Sequence, residues 1–183
     1  MAESDEQLVE TFHTIGGDEP LQELVERHIP DVRAMVGRMV FDQDLADDLT
    51  QEVFLRALRG IGTFQGRSKF STWLYRIAMN TTHAHLARAA RSPVDYDSEL
   101  AEHPPAEGPG PEQMAIGGET LSKVDAAIRG LSPKLRAAIV LTTLQQMDVR
   151  EAARIEGCSR ATMYWRLHEA RRQLRTQLDE YLS

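Results

Sequence analysis

The stretch DVREAARIEGCSRATMYWRLHEARRQLRTQL, residues 148–178, contains two helical patterns separated by a short turn. Asp148 and Glu151 make a start like a capping box, and Gly157 suits a left-handed helix stop. Ser159 follows as an N-cap for the second helix. The inward stripe of that helix, at helical spacing, consists of Met163, Leu167, Ala170 and Leu174. The stretch therefore predicts a helix-turn-helix.

The outward face of the second helix carries Tyr164 and Trp165 beside several arginines. When a helix enters the major groove, its N-terminal side chains reach base edges and flanking arginines hold phosphates. We therefore predict a reader of duplex DNA, with packing against another subunit as the alternative. The candidate contacts are Ser159, Arg160, Ala161, Thr162, Tyr164, Trp165, Arg166, His168, Arg171 and Arg172.

A segment rich in Pro and Gly divides the chain. Residues 92–118 hold five of the eight prolines, four of the twelve glycines and six acidic residues, with no Lys or Arg. This density of Pro and Gly is incompatible with a regular helix or strand. On both sides the apolar residues recur at helical spacing and alternating strand patterns are lacking. We expect an all-α protein with an acidic N-terminal extension (1–20), two small helical domains (21–91 and 119–183) and a flexible linker (92–118).

The periodicity also predicts the helices of both domains. One pattern runs from Leu21 and continues beyond Pro30, a second begins near Asp44, and a third begins around Ser68 and passes Asn80. The expected inward stripe of the second helix consists of Leu45, Leu49, Val53, Ala57 and Leu58. After the linker, an amphipathic helix covers residues 120–129. The next helix has Ser132 as its expected cap and Pro133 in its first turn, and its expected buried residues are Leu135, Ala138, Ile139 and Leu141 or Thr142.

A second face of the helix near Asp44 is acidic with one apolar centre. Its members lie at i, i+3, i+4 and i+7, and they are Asp48, Gln51, Glu52 and Leu55. Charge runs on a helix are most often simply solvated. The functional alternative is a docking face for a basic partner helix.

The following segment, FQGRSKFSTWLYRIAMN, residues 64–80, mixes aromatics with cations. Phe70 has core spacing, and an aromatic stripe at helical spacing is usually core. The preceding GIGTFQGRSK loop argues for more, because its glycines and cations can approach phosphates closely. This combination of aromatics and cations is suited to stacking on bases and neutralising the phosphates of a single strand. The candidate single-strand contacts are Phe64, Arg67, Lys69, Trp73, Tyr75, Arg76 and Asn80.

Composition and motifs exclude several classes of protein. The net charge of −7 argues against a wholesale polyanion binder, but only residues 119–183 are basic, with eleven Lys and Arg against eight Asp and Glu. One cysteine, Cys158, excludes an internal disulfide framework, fits the cytoplasm, and is expected to be a small buried hydrophobe. No signal peptide or membrane-spanning stretch occurs. His83 and His85 lie on different helix faces, so no metal pair is expected. We predict no enzyme, no cofactor and no metal site.

The order of the motifs resembles that of a known family. DLTQEVFLRA, FQGRSKFSTWLYRIAMN, the linker, LSPKLRAAIVL and GCSRATMYWRLHEARRQL follow one another as in bacterial sigma factors of the extracytoplasmic-function (ECF) type. The resemblance covers about residues 21–178. It implies an RNA polymerase subunit that directs promoter-specific transcription initiation.

The resemblance also implies roles for residues and partners. Asp48, Gln51, Glu52 and Leu55 would meet the β′ clamp helices of core RNA polymerase. The candidate single-strand contacts would capture the melted −10 strand, and the helix-turn-helix would read the −35 element and touch the β flap. An anti-sigma factor is the expected inhibitor. Trp165 and Cys158 depart from the residue types usual in the family, so −35 preference is not transferable from relatives.

Alternatives remain at this point. The chain could be a helix-turn-helix regulator that binds operators without polymerase, or a helical adaptor with no role on DNA. The acidic linker could enter the basic channel of the polymerase because it resembles a phosphate strand, or it could be a solvated tether.

Overall fold

The computed structural model describes residues 3–91 and 123–182. All regular elements in these two ranges are helical, and none of the helices is long and apolar enough to cross a membrane. The helices are α1 (Asp5–Ile15), α2 (Glu19–Val40), α3 (Gln43–Gly60), α4 (Phe70–Ala89), α5 (residues 123–130), α6 (Pro133–Ile139), α7 (Val149–Ile155) and α8 (Arg160–Leu182). A 3-10 turn, Ile61–Thr63, follows α3, and a π-helical turn, Val140–Leu144, extends α6. The predicted linker lies outside the described residues.

The N-terminal stretch contains a packed helix that the sequence did not predict. Ser4 and Gln7 form a complete capping box at the start of α1. Leu8 and Val9 are buried, and Asp5 accepts hydrogen bonds that tie α1 to α2. A short amphipathic helix is marginal alone, so its packing against α2 is what stabilises it.

Helices α1 to α4 form the first helical unit. Its α2 runs through Pro30 without ending, and the apolar face after Pro30 is fully buried. Asp42 caps α3 by accepting a hydrogen bond from the backbone N–H of Leu45 at 2.9 Å. Leu58 does not lie in the inward stripe of α3 as expected: it is 40% exposed, and Phe54 is buried instead. The periodicity was ambiguous here because both positions border the apolar stripe.

Helices α5 to α8 form the second helical unit. Pro133 occupies the first turn of α6 as expected, but the Ser132 side chain makes no capping hydrogen bond. The α8 residues Met163, Leu167 and Ala170 are buried against α6 and α7, as the stripe predicted. The π-helical turn closes with a hydrogen bond from the Gln145 N–H to the Val140 carbonyl at 2.9 Å.

The two units pack against each other. Helix α7 lies against α4, while α6 approaches α2 and α4. Buried residues of both units form one continuous hydrophobic cluster. The sequence predicted two domains but contained no sign of this contact.

Candidate functional surfaces

The acidic face of α3 is accessible. Asp48 and Gln51 are exposed, Leu55 is 53% exposed, and the Glu52 carboxylate pairs with Arg56 one turn further on. Leu58, three residues after Leu55, adds a second exposed apolar side chain. Neighbouring exposed apolar side chains rimmed by polar residues are typical of a surface that a partner covers, and Leu55 and Leu58 lie one turn apart. This face combines apolar area with negative charge, which suits a basic partner.

The loop before α4 and the start of α4 present cations to solvent. Arg67, Lys69 and Arg76 are exposed, and Asn80 is exposed one turn beyond Arg76. Trp73 is half-buried, and a β-carbon at Gly60 would lie 3.4 Å from its ring. Because glycine leaves that space, the indole packs over the end of α3 and remains partly exposed. Five of the seven candidate single-strand contacts therefore reach a surface.

Phe64 and Tyr75 are buried, contrary to the expectation that they face a strand. The Phe64 ring lies 6.0 Å from that of Phe70 and 5.2 Å from that of Trp73, which places it in an aromatic cluster. The Tyr75 hydroxyl donates to Asp31 at 3.3 Å. Burial, followed by the charge and hydrogen bond of Asp31, raises the pKa of Tyr75. Phe64 is buried because the loop folds back onto α4, whereas Tyr75 is buried because it faces α2.

The turn before α8 has the predicted helix-turn-helix geometry. Asp148 caps α7 by accepting from the Glu151 N–H at 2.9 Å, and this hydrogen bond is the main reason why the pKa of Asp148 is lowered. The capping box is half formed because the Glu151 carboxylate accepts from Thr72 of α4 instead. Gly157 has φ +61°, and the Ser159 hydroxyl accepts from the Thr162 N–H at 3.0 Å. The left-handed stop and the cap of α8 are confirmed.

The outward face of α8 is open. Tyr164 is 62% exposed and Trp165 is 63% exposed, which is far more than isolated large aromatics usually show. Hydrogen bonds from Arg172 and Gln173 lower the pKa of Glu169 to about 2, so Arg172 is already paired on its own helix. The other exposed members of the predicted set are Ser159, Arg160, Ala161, Thr162, His168 and Arg171.

Arg166 does not flank this face as expected. Its side chain is 15% exposed and donates to Glu156 at 2.9 Å, inside the packed side of α8. A guanidinium held there supports the fold and does not reach a phosphate. Cys158 is partly buried against the core, close to its expected role.

Two contacts between helices that are far apart in the chain gave no signal in the sequence. Glu156 contacts His83, and Arg136 donates to the Met39 carbonyl. Each contact joins residues that are 73 or more positions apart. Nothing local marks such a pair, so only the tertiary structure reveals it. Within the described ranges, no group of three or more His, Cys, Asp or Glu is arranged to hold a metal ion.

An accessible acidic face on one helical unit and an exposed aromatic and basic helix after a turn on the other are the features expected of a two-unit DNA-binding protein that also docks on a partner. Comparison with protein families agrees with this class. Residues 24–92 match the family Sigma-70 region 2, and residues 121–174 match Sigma-70, region 4. The chain belongs to the ECF-type RNA polymerase sigma factors, which bind core polymerase and promoter DNA and direct promoter-specific transcription initiation without being enzymes.

Similar proteins support this membership over nearly the whole chain. The chain is 33% identical to the RNA polymerase sigma-H factor of Pseudomonas aeruginosa, over 98% of this chain and 96% of that protein. It is 34% identical to the ECF RNA polymerase sigma-E factor of Escherichia coli, over 92% of this chain and 91% of that protein. Among solved structures, the sigma factor RpoE in complex with the anti-sigma factor NepR from Bartonella quintana has a TM-score of 0.69 and 26% identity, covering 89% and 98% of the two chains. The alternatives of an operator-binding regulator and an adaptor are therefore not retained.

Proposed function

We propose that the α3 face formed by Asp48, Gln51, Glu52 and Leu55 binds the β′ clamp helices of core polymerase. The observation that carries this proposal is the exposed apolar centre of an acidic face, now extended by Leu58. Apolar anchors supply most of the affinity of an interface, and the carboxylates select a basic partner.

Charge reversal tests this assignment. Asp48→Lys with Glu52→Lys should lower affinity for core polymerase at least tenfold and abolish run-off transcription, because two repulsive contacts replace two attractive ones. The matched control is Glu10→Lys with Glu26→Lys, which makes the same change of charge at exposed positions on α1 and α2. Equal loss of affinity in both variants would refute a local docking face.

Region 2 also supplies the surface for the melted −10 strand. We assign this surface to Arg67, Lys69, Trp73, Arg76 and Asn80, all of which are exposed or half-buried. Phe64 packs against Trp73 from within, whereas Tyr75 packs against α2. Base stacking on Trp73 is worth about 1–3 kcal/mol, and the cations neutralise phosphates. In holoenzyme, Arg76→Ala and Asn80→Ala should slow promoter opening and leave the affinity for core polymerase unchanged. Arg88→Ala, on the last turn of α4, should change neither promoter opening nor that affinity.

Region 4 reads the −35 element as duplex DNA through the exposed start of α8 and also touches the β flap. Trp165→Ala should reduce affinity for one promoter sequence more than for others, since base contacts specify and phosphate contacts position. Arg171→Ala should weaken binding uniformly and reduce the salt slope by about one. A uniform effect of Trp165→Ala would argue that this ring does not read bases. We assign the domain boundaries 21–91 and 119–183 to these two regions.

An anti-sigma factor is the proposed inhibitor, and the cytoplasm is the proposed location, where core polymerase is found. The support is that a relative of this fold was solved in complex with an anti-sigma factor. A purified anti-sigma protein should form a one-to-one complex with this chain and prevent its binding to core polymerase. Sequencing transcripts made in vitro from genomic DNA by core polymerase and this chain would identify its promoters. Transcripts without a shared upstream element would contradict promoter-specific initiation.

A further inference from the structure

Helix α1 contacts both ends of the loop that precedes α4. His13 Nε2 donates to the carbonyl of Ile61, where the loop begins, at 2.9 Å. Glu6 Oε1 accepts from the backbone N–H of Phe70, the first residue of α4, at 3.3 Å. These hydrogen bonds join residues that are 48 and 64 positions apart in the chain. Helix α1 therefore holds the loop of residues 61–69 at its start and at its end.

The Glu6 contact satisfies a donor for which α4 itself has no acceptor. The first N–H groups of a helix have no partner within that helix. Lys69, the N-cap residue of α4, makes no capping hydrogen bond with its side chain. A carboxylate is also favourable at this end, because the helix dipole places partial positive charge there. Glu6 thus fixes where α4 begins, and with it the position of the adjacent Lys69.

Little else holds the middle of the loop. The Phe64 ring is its buried anchor and packs against the ring of Trp73. Gly66 has φ +65°, and Arg67 is exposed. Among the residues that the structure describes, Gln65 and Arg67 have no hydrogen-bonding or ion-pair partner. One buried ring and the two hydrogen bonds from α1 therefore determine where the cations of this loop lie.

Helix α1 is in turn fixed to the interior of the first unit. Leu8 is buried, and Asp5 accepts from Arg27 Nη1 at 2.6 Å and from His28 Nε2 at 2.8 Å. The buried His28 ring lies 5.5 Å from the ring of Phe70. Through these contacts α1 connects the loop to α2, which packs against α3 and α4. The loop is thus held against a rigid support and not only by its own short turns.

Helix α1 lies outside residues 24–92, the part of the chain that matches Sigma-70 region 2. We propose that α1 is a positioning element for capture of the −10 strand. Glu6 and His13 hold the loop of residues 61–69 so that Arg67 and Lys69 meet the phosphates of the strand. Both residues act through the loop backbone and not on DNA. This inference rests on the −10 role assigned under Proposed function.

Hydrogen exchange, followed by NMR on the full chain, tests the Glu6 contact without DNA. Glu6→Ala removes the acceptor of the Phe70 N–H, so this amide should exchange about tenfold faster. Glu6→Gln keeps a side-chain oxygen and should restore most of the protection. Glu10→Ala, at an exposed position of the same helix, is the matched control and should leave exchange at Phe70 unchanged. Unchanged exchange in Glu6→Ala would overturn the contact.

Promoter opening by the holoenzyme tests the consequence. The template is a promoter that the holoenzyme transcribes, with a fluorescent base in its −10 element. Glu6→Ala and His13→Ala should each slow opening about fivefold, as expected for the loss of one hydrogen bond. Affinity for core polymerase and for the −35 duplex should not change. Glu6→Gln and His13→Gln, which keep an acceptor and a donor, should open the promoter at close to the parent rate. Opening at the parent rate in both alanine variants would overturn the positioning role.

A combined substitution separates positioning from a general loss of stability. Arg67→Ala with Lys69→Ala should slow opening, and adding Glu6→Ala should slow it by less than about twofold more, because the loop cations through which Glu6 acts are gone. A further loss of about fivefold would show that Glu6 acts elsewhere and would overturn the proposal. If Arg67→Ala with Lys69→Ala leaves opening unchanged, the assigned −10 role itself has failed. If that pair slows opening but the α1 variants do not, only the positioning role has failed.

Discussion

Replacing Arg136 should reveal how strongly one buried guanidinium stabilises region 4. Its side chain is buried and donates to the carbonyls of Ile128, Arg129 and Leu131 at the end of α5, and to that of Met39 in α2. Burial, and then the charge of Arg129, lowers the pKa of Arg136. The charge is nevertheless retained because an arginine remains protonated throughout the physiological range.

The magnitude follows from the acceptors. Arg136→Met leaves the carbonyls of Met39, Arg129 and Leu131 without a donor, whereas the Ile128 carbonyl keeps the N–H of Leu131. Each carbonyl left without a donor costs about 1–3 kcal/mol, while the apolar methionine side chain offsets about 1–3 kcal/mol. Replacing both partners of a buried ion pair by apolar side chains can leave the free energy of unfolding unchanged. Here the acceptors of Arg136 are backbone carbonyls, which no substitution removes. We expect a net loss of about 3 kcal/mol in the free energy of unfolding, a large fraction of the about 5–15 kcal/mol typical of a domain.

Urea unfolding followed by circular dichroism measures this loss. Arg136→Lys keeps the charge but cannot span the acceptors of both α5 and α2, so its loss should fall between those of the parent and Arg136→Met. Arg175→Met, at an exposed position of α8, is the matched control and should change the free energy of unfolding by less than about 0.5 kcal/mol. A loss below about 1 kcal/mol for Arg136→Met would refute the reasoning.

Three other changes have defined outcomes. Asp148→Ala should lower the urea midpoint at pH values above 3.8, the ordinary pKa of this carboxyl. The difference from the parent should vanish as the pH falls through the pKa of Asp148 in the folded protein, which is lowered. Measuring the urea midpoint at a series of pH values checks this. Gly157→Ala should lower the free energy of unfolding, measured by thermal unfolding, by about 1 kcal/mol, because alanine is strained at φ +61°. Gly62→Ala is the control and should lower it less, since a β-carbon there meets nothing within 4 Å and φ is not positive. Asp5→Ala should loosen α1, since His28 loses its carboxylate partner and Arg27 keeps only Glu23 of its own helix. Faster proteolysis within α1 would show it, and an unchanged cleavage pattern would contradict it.

Local signals predicted the helices well where capping residues and periodicity agreed. Asp148, Gly157 and Ser159 define the turn before α8 because each acts through its own backbone or that of a near neighbour. The same reasoning failed at Leu58 and Ser132, where the side chain is exposed or makes no cap. Both failures involve residues whose environment depends on neighbouring helices and not on their own turn.

The candidate surfaces were predicted in part. The acidic face of α3 and the aromatic face of α8 are exposed as expected, because helical spacing alone separates inward from outward positions. Phe64, Tyr75 and Arg166 were assigned to surfaces but are buried or largely covered. Aromatic rings and guanidinium groups are as common in buried clusters and ion pairs as in nucleic-acid contacts. Residue type alone therefore could not decide whether these three side chains are buried or face DNA.

The sequence by itself determined the helical class and the order of the motifs, through periodicity, capping and residue type, all of which act over a few residues. Only the tertiary structure decided that α7 packs against α4, that Glu156 meets His83, and that the Arg136 guanidinium is shared between α5 and α2. The physical reason is distance along the chain. These pairs form because folding removes water from both partners at once. The sequence around either partner does not indicate which residue it will contact.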